Sequence, residues 1–159
     1  MANMLVVYHS RGGNTRSMAE LVGEGAASVD GVDVEVRPAA EVAADDLLGY
    51  DAIVVGSPTY YGLPAASIKK LLDESVAFHG QLEGRVGGAF ASSANVGGGN
   101  ETTITAILHA LLIHGMVVQG TSSGDHYGPV AIGPPDSRAR QQCKVYGQRV
   151  AQLAMRLRG

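Results

Sequence analysis

The sequence has no tryptophan, one cysteine and only eight aromatic residues among 159. A lone cysteine excludes an internal disulfide and any paired-cysteine metal site. Charge is scarce too, at 17% of residues, with twelve basic side chains against fifteen acidic ones and a net charge of -3. There is no basic stripe, so nucleic acid is not an expected partner. No apolar run approaches the roughly 20 residues of a membrane-spanning helix. The first apolar run is too short for a signal peptide and has no charged region ahead of it. No histidine pair has ligand spacing with carboxylates, so no metal is expected. An apolar share of 45% excludes a disordered chain. The expectation is a soluble, cytoplasmic, single domain spanning 1–159, large enough to fold without a disulfide or metal.

Glycine, by contrast, is abundant, at 22 residues. The glycines follow no period, which excludes collagen and solenoid repeats. Several gather where strand-like runs end. Residues 4–8 form a short continuous apolar run of the buried parallel-strand kind. Met18, Leu21, Val22 and Gly25 then follow helical spacing, with Asn14 or Thr15 as cap. Val32, Val34 and Val36 alternate with charged residues, the mark of a half-exposed edge strand. A weak helix is expected over 41–48, a buried strand over 52–55, and a helix over 64–76 opened by Pro64 with Ile68, Leu71 and Leu72 inward. A strand over 86–90 precedes the strongest helix, in which Ile104, Ile107, Leu108, Leu111 and Leu112 fit one face. A last strand over 116–118 and a closing helix over 138–158 follow. The inward stripe of that helix is Cys143, Tyr146, Val150, Leu153, Ala154 and Leu157.

This alternation predicts an α/β fold of three layers, with helices on both faces of a five-stranded parallel sheet. With the alternating strand at an edge, the natural strand order is 2-1-3-4-5. Ligands of such sheets sit beyond the carboxyl ends of the strands, where the winding reverses between strands 1 and 3. Three loops meet that description. The first, Ser10, Arg11, Gly12, Gly13, Asn14 and Thr15, joins two glycines and flanking hydroxyls to a helix N-terminus, which suits a phosphate monoester. It is neither GxxxxGK nor GxGxxG, which argues against a nucleotide P-loop and a dinucleotide site. The second, Ser57, Pro58, Thr59, Tyr60, Tyr61 and Gly62, places two tyrosines where one can stack on a planar ring while the other packs elsewhere. The third, with Ser92, Ser93, Ala94, Asn95, Val96 and Gly97, offers small residues and free N–H groups to a polar ring edge.

A phosphate site, an aromatic platform and a polar backbone edge at one switch point describe a pocket for flavin mononucleotide (FMN). Nanomolar binding needs about -12 kcal/mol. A helix N-terminus acting on an anion supplies only about 0.3–2 kcal/mol of that, and hydrogen bonds to a charged group about 1.5–3 kcal/mol each. Ring stacking and burial must supply much of the rest.

The run VVYHSRGGNTRSMA at 6–19 resembles the FMN phosphate signature of the flavodoxin family. GSPTYYG at 56–62, the glycine-rich segment at 92–104 and HGMVV at 114–118 more closely resemble its WrbA-type branch, the NAD(P)H:quinone oxidoreductases. The resemblance implies a flavodoxin-like fold, with FMN phosphate on 10–15, the ring against Thr59, Tyr60 and Tyr61, and backbone contacts from 92–97. It also implies NAD(P)H as electron donor and a quinone as acceptor. The chain lacks the insertion that WrbA-type proteins have before strand 3, and much of their loop after strand 5. Ile113 stands where that branch has a flavin-contacting histidine. No tyrosine occupies the loop after strand 4, where carrier flavodoxins often cover the ring, and an uncovered ring face favours an enzyme. The alternative is a one-electron carrier that docks to a redox protein. His126 and Tyr127 lie in a loop on the pocket side and are candidates for the flavin edge or substrate. His109 is expected at the surface or in an interface, His114 at a helix end favoured by the dipole, and Cys143 in the core. A homodimer or larger assembly is left open by the apolar helix around Leu108.

Overall fold

The computed structural model describes residues 1–158. The first apolar run becomes strand β1, Ala2–Tyr8, and its neighbours build a parallel sheet in the order β2-β1-β3-β4-β5. Strand β2 is Val32–Pro38, β3 is Ala52–Pro58, β4 is Val86–Ser93 and β5 is Val117–Val118. Strand β2 pairs only with β1, and its alternating valines lie half-buried beneath helix α1, Asn14–Ala27. Strands β1 and β3 are buried on both faces, because successive side chains of their apolar runs go to opposite layers. Met4 and Val6 join Met18, Val22, Phe90, Cys143 and Tyr146 in one core. Leu5 and Val7 join Ile53, Ile68, Ile104 and Leu111 in the other.

Helix α4, Ser137–Leu157, packs on α1 on one face, while α2, Ala66–Glu74, and α3, Asn100–Ile113, cover the other. The α1–α4 contact is backbone on backbone. A Cβ at Gly147 would collide with the carbonyl of Val22, and one at Gly25 with the carbonyl of Lys144. This close approach buries Cys143 completely, and desolvation pushes its thiol up to about 12. It is a core residue, as its inward position in the sequence suggested.

Several expectations need correction. The fifth strand lies where it was expected, but the sheet has a sixth that was not. β5 pairs with Val86 and Gly87, while β6, Val130–Ile132, pairs with the far end of β4, and loop 119–129 bulges out between them. Pro129, directly before β6, has no N–H to donate, but its carbonyl accepts the Ala91 N–H at 3.1 Å and so begins the pairing with β4. Helix α2 starts at Ala66, because Pro64 holds its predecessor extended and Leu63 pairs with Tyr60 instead. The weak helix over 41–48 is two 3-10 turns, Ala39–Glu41 and Ala44–Gly49. Leu112 is 54% exposed, since eight residues after Ile104 the helix has rotated past the edge of its buried stripe. Leu157 is half exposed in the last turn of α4, beside Arg158, which reaches Asp51 at 2.7 Å.

His114 also departs from expectation. It is buried, and its Nε2–H donates to Ser75 Oγ at 2.8 Å, while the Ser75 hydroxyl donates to the carbonyl of Leu72. Nδ1 is left buried without a partner. Desolvation, aided by His79 with its ring centre 6.2 Å away, lowers the pKa of His114, against the direction a helix C-terminus favours.

Two outcomes follow from these contacts. Gly147→Ala should destabilise the protein by about 1–3 kcal/mol in urea denaturation, whereas Gly49→Ala, with open space around it, should cost far less. Below about pH 6.5 the unfolded chain takes up a proton at His114 that the folded chain resists, so stability should fall on acidification. His114→Gln should flatten that slope between about pH 5 and pH 7; an unchanged slope would contradict the assignment.

Candidate cofactor site

Strands β1, β3 and β4 end side by side, and the loops leaving them converge on a cavity of about 670 Å3. That volume lies within the range of small-molecule and cofactor pockets. The first loop supplies Ser10, Arg11 and Gly12, and α1 adds Asn14 and Thr15. Gly13, with φ 98°, is the N-cap of α1, and its N–H donates to Ser10 Oγ at 3.0 Å. No side chain caps this helix. The Thr15 hydroxyl, expected as a cap, instead meets Ser92 Oγ at 2.9 Å. The first N–H groups of α1 therefore lack helical acceptors and stand at the cavity wall. A Cβ on Gly12 or Gly13 would meet nothing within 4 Å, so open space lies over the loop backbone.

The second loop supplies Pro58, Thr59 and Tyr60. Buried Ser57 fixes its exit, with Oγ accepting the Ala65 N–H at 2.9 Å and donating to the Pro58 carbonyl. Tyr60 and Leu63 then close a tight turn through two backbone hydrogen bonds of 2.9 and 3.1 Å. Tyr61 has φ 52° and Gly62 φ 77°, the backbone that such a two-residue turn requires. The Tyr60 ring meets the His9 ring edge-on, with centroids 6.3 Å apart, and His9 Nδ1 lies 2.9 Å from Ser67 Oγ. The third loop contributes Ser92, Ser93 and Ala94. Gly99 packs against Gly62, the Thr102 hydroxyl donates to the carbonyl of Gly62 at 2.7 Å and the Thr103 hydroxyl reaches Thr59 Oγ1 at 3.2 Å, which ties the second and third loops together. No carboxylate lines the cavity, and Arg11 is its one cation among the described residues.

Comparison with known proteins agrees with this architecture. Residues 4–128 match the model of a family described as NADPH-dependent FMN reductase. The chain belongs to that family. It is also 38% identical to a protein described as "Flavodoxin" of Aquifex aeolicus (strain VF5), over 96% of this chain and 86% of that one. A protein of Chromohalobacter salexigens described as "NAD(P)H dehydrogenase (quinone)" is 32% identical over the full length of both chains. That alignment spans 201 positions, so the relative carries segments this FMN reductase homologue does not have. A crystal structure of a flavodoxin, WrbA-like protein from Agrobacterium tumefaciens superposes with a TM-score of 0.81 at 30% identity, covering 98% of this chain and 99% of that one. The fold is flavodoxin-like and the protein is of the WrbA type.

In this family member the structure brings together most, though not all, of the residues that the sequence singles out. Gly13 shapes the first loop from behind without lining the cavity. Tyr61 is fully exposed and Gly62 is engaged by Thr102, so neither lines it. Asn95, Val96 and Gly97 are exposed beyond Ala94. Tyr127 is 50% exposed, and His126 Nδ1 lies 2.9 Å from its own loop at the Thr121 carbonyl; neither lines the cavity. Gly133 does line it, held by an N–H to the carbonyl of Ser93 at 2.8 Å. Sequence reading missed Gly133 with β6; the signal was the short VAI triplet just before it. It also passed over His9, which supports Tyr60 from the end of β1.

Ser57→Ala would leave the buried N–H of Ala65 without an acceptor. A loss of about 1–3 kcal/mol in denaturant stability is expected, with no change expected for the exposed Ser122→Ala.

Proposed function

We propose that this protein is an FMN-dependent oxidoreductase that takes two electrons from NAD(P)H and passes them to a quinone. One observation carries the reading. The cavity has a donor-rich end free of carboxylates, a single aromatic wall at Tyr60, and no aromatic residue on its other walls. The donor set fits a phosphate dianion: unpaired helix N–H groups, the hydroxyls of Ser10 and Thr15, the Asn14 amide and the Arg11 cation. Ser10, Gly12, Asn14 and Thr15 would hold the phosphate, with Gly13 shaping the turn. Tyr60 would flank the ring, with Pro58 and Thr59 beside it, and the backbone of Ser92, Ser93 and Ala94 would face its polar edge.

When bound, FMN supplies hydride chemistry. The chain's own residues bind and orient. His9 and the Tyr60–Leu63 turn keep Tyr60 from swinging into the cavity. Thr102, through the carbonyl of Gly62, and Thr103, through the hydroxyl of Thr59, hold the second and third loops at a fixed separation, with Gly99 packed against Gly62. With Tyr60 as the one aromatic residue among those that line the cavity, the opposite face of the ring would be left for a nicotinamide or a quinone. The NAD(P)H dehydrogenase (quinone) relative, aligned over its full length, supports the same donor and acceptor. Tyr61 and Tyr127, exposed outside the cavity, are candidates for the substrate rather than the cofactor.

A second reading, a one-electron carrier, draws on the similarity to the Aquifex flavodoxin. The two separate in one experiment. FMN-loaded protein should oxidise NADH or NADPH with benzoquinone as acceptor, and anaerobic reduction should pass straight from oxidised to fully reduced spectra. A one-electron stage that persists through the titration, with no NAD(P)H oxidation, would favour the carrier and overturn the enzyme.

A further inference from the structure

A second cavity, of about 250 Å3, lies between loop 119–129 and α4, apart from the residues of the cofactor site. Arg149 lines it, with its guanidinium carbon 5.1 Å from the centre of the Tyr146 ring. Among the described residues, no carboxylate forms an ion pair with Arg149. Its Nε is buried and has no acceptor among the described residues. A buried donor on a charged group is costly to leave unpaired, more so than on a neutral one.

The remaining polar groups of the cavity point the same way. Asp125 is already matched: its Oδ1 pairs with Arg138 at 2.8 Å and its Oδ2 accepts the Val130 N–H at 3.0 Å. Gln142 accepts the Asp125 N–H through Oε1 at 3.2 Å, which leaves its amide NH2 to donate. Ser123 adds a hydroxyl. Asp125 and Arg138 cancel, so the positive charge of Arg149 is the unmatched one. The charged residues that line the cavity are Asp125, whose carboxylate is met by Arg138 from outside the lining, and Arg149, which has no carboxylate partner among the described residues.

We propose that this cavity binds a small oxyanion, the phosphate or carboxylate group of a metabolite, held by Arg149 with Gln142 and Ser123. A guanidinium presents parallel donors that match either group in bidentate fashion, and its stacking on Tyr146 fixes the fork in place. The volume suits such a group with a small attached body and is too small for a second flavin. The proposal is independent of the cofactor reading.

The test is a two-dimensional NMR titration of the full chain, run separately with inorganic phosphate and with acetate. The Arg149 Nε–H and the amides of 121–124 should shift and saturate. Saturation with either probe supports the site, and the probe that binds more tightly names the source of the group. Arg149→Gln should weaken binding at this cavity at least tenfold while the shifts of phosphate at residues 10–15 persist. Arg156→Gln, a charge change on the exposed side of the same helix, should leave it unchanged. No saturation in the unmodified chain would overturn the proposal, as would equal weakening by both variants.

Discussion

Ser92, the penultimate residue of β4, holds the three loops of the cofactor site in one frame. Its hydroxyl meets Thr15 in the first turn of α1 at 2.9 Å, and its carbonyl accepts the N–H of Thr59 at 2.8 Å. Its backbone lies in register with Pro58 on one side and Ala131 on the other. The hydroxyl pair is buried, so breaking one side would strand the other without water to replace it. Such bonds contribute about 0.5–1.5 kcal/mol each when made and cost more when half broken. Their larger effect is geometric. They fix the distance between the loop at 10–15 and the end of β4, and thereby the span that a ligand in the cavity must bridge.

The frame exists because parallel strands end together. β1, β3 and β4 are neighbours in the sheet, and the connections leave β1 and β3 toward opposite faces. The crevice this opens receives a helix N-terminus from one side and the Tyr60–Leu63 turn from the other. Close packing beneath it, with Phe90 pressed against Gly56 and α4 against α1 through Gly147, keeps the strand ends from shifting. Stability and function are therefore linked through glycine: the same small residues that let helices and rings approach the sheet hold the rim of the crevice still.

Much of this was legible in the sequence. Continuous apolar runs at 4–8 and 52–55 marked strands buried on both faces, and alternation at Val32, Val34 and Val36 marked the edge. Those patterns fixed the strand order, and the order located three loops, most of whose members line the cavity. What stayed hidden was decided by tertiary contacts. β6 has three residues behind a proline, too few for a periodic signal, so Gly133 was missed with it. Tyr60 and Tyr61 are adjacent and chemically alike; only the left-handed backbone of Tyr61 sends it to solvent. His114 reads as a helix-end residue, and only the structure shows that Ser75 and the core enclose it. Arg149 has the spacing of an ordinary helix cation, and its missing partner is visible only in three dimensions.

The proposed function requires the first loop to read a phosphate while the other two hold a ring. Side-by-side equilibrium titrations of the apo chain with FMN and with riboflavin, followed by flavin fluorescence, test this most directly. One FMN should bind per chain, at least about tenfold more tightly than riboflavin, as one or more hydrogen bonds to a charged group require. Equal affinity for the two flavins would contradict the role assigned to residues 10–15, and binding of neither would contradict the site itself.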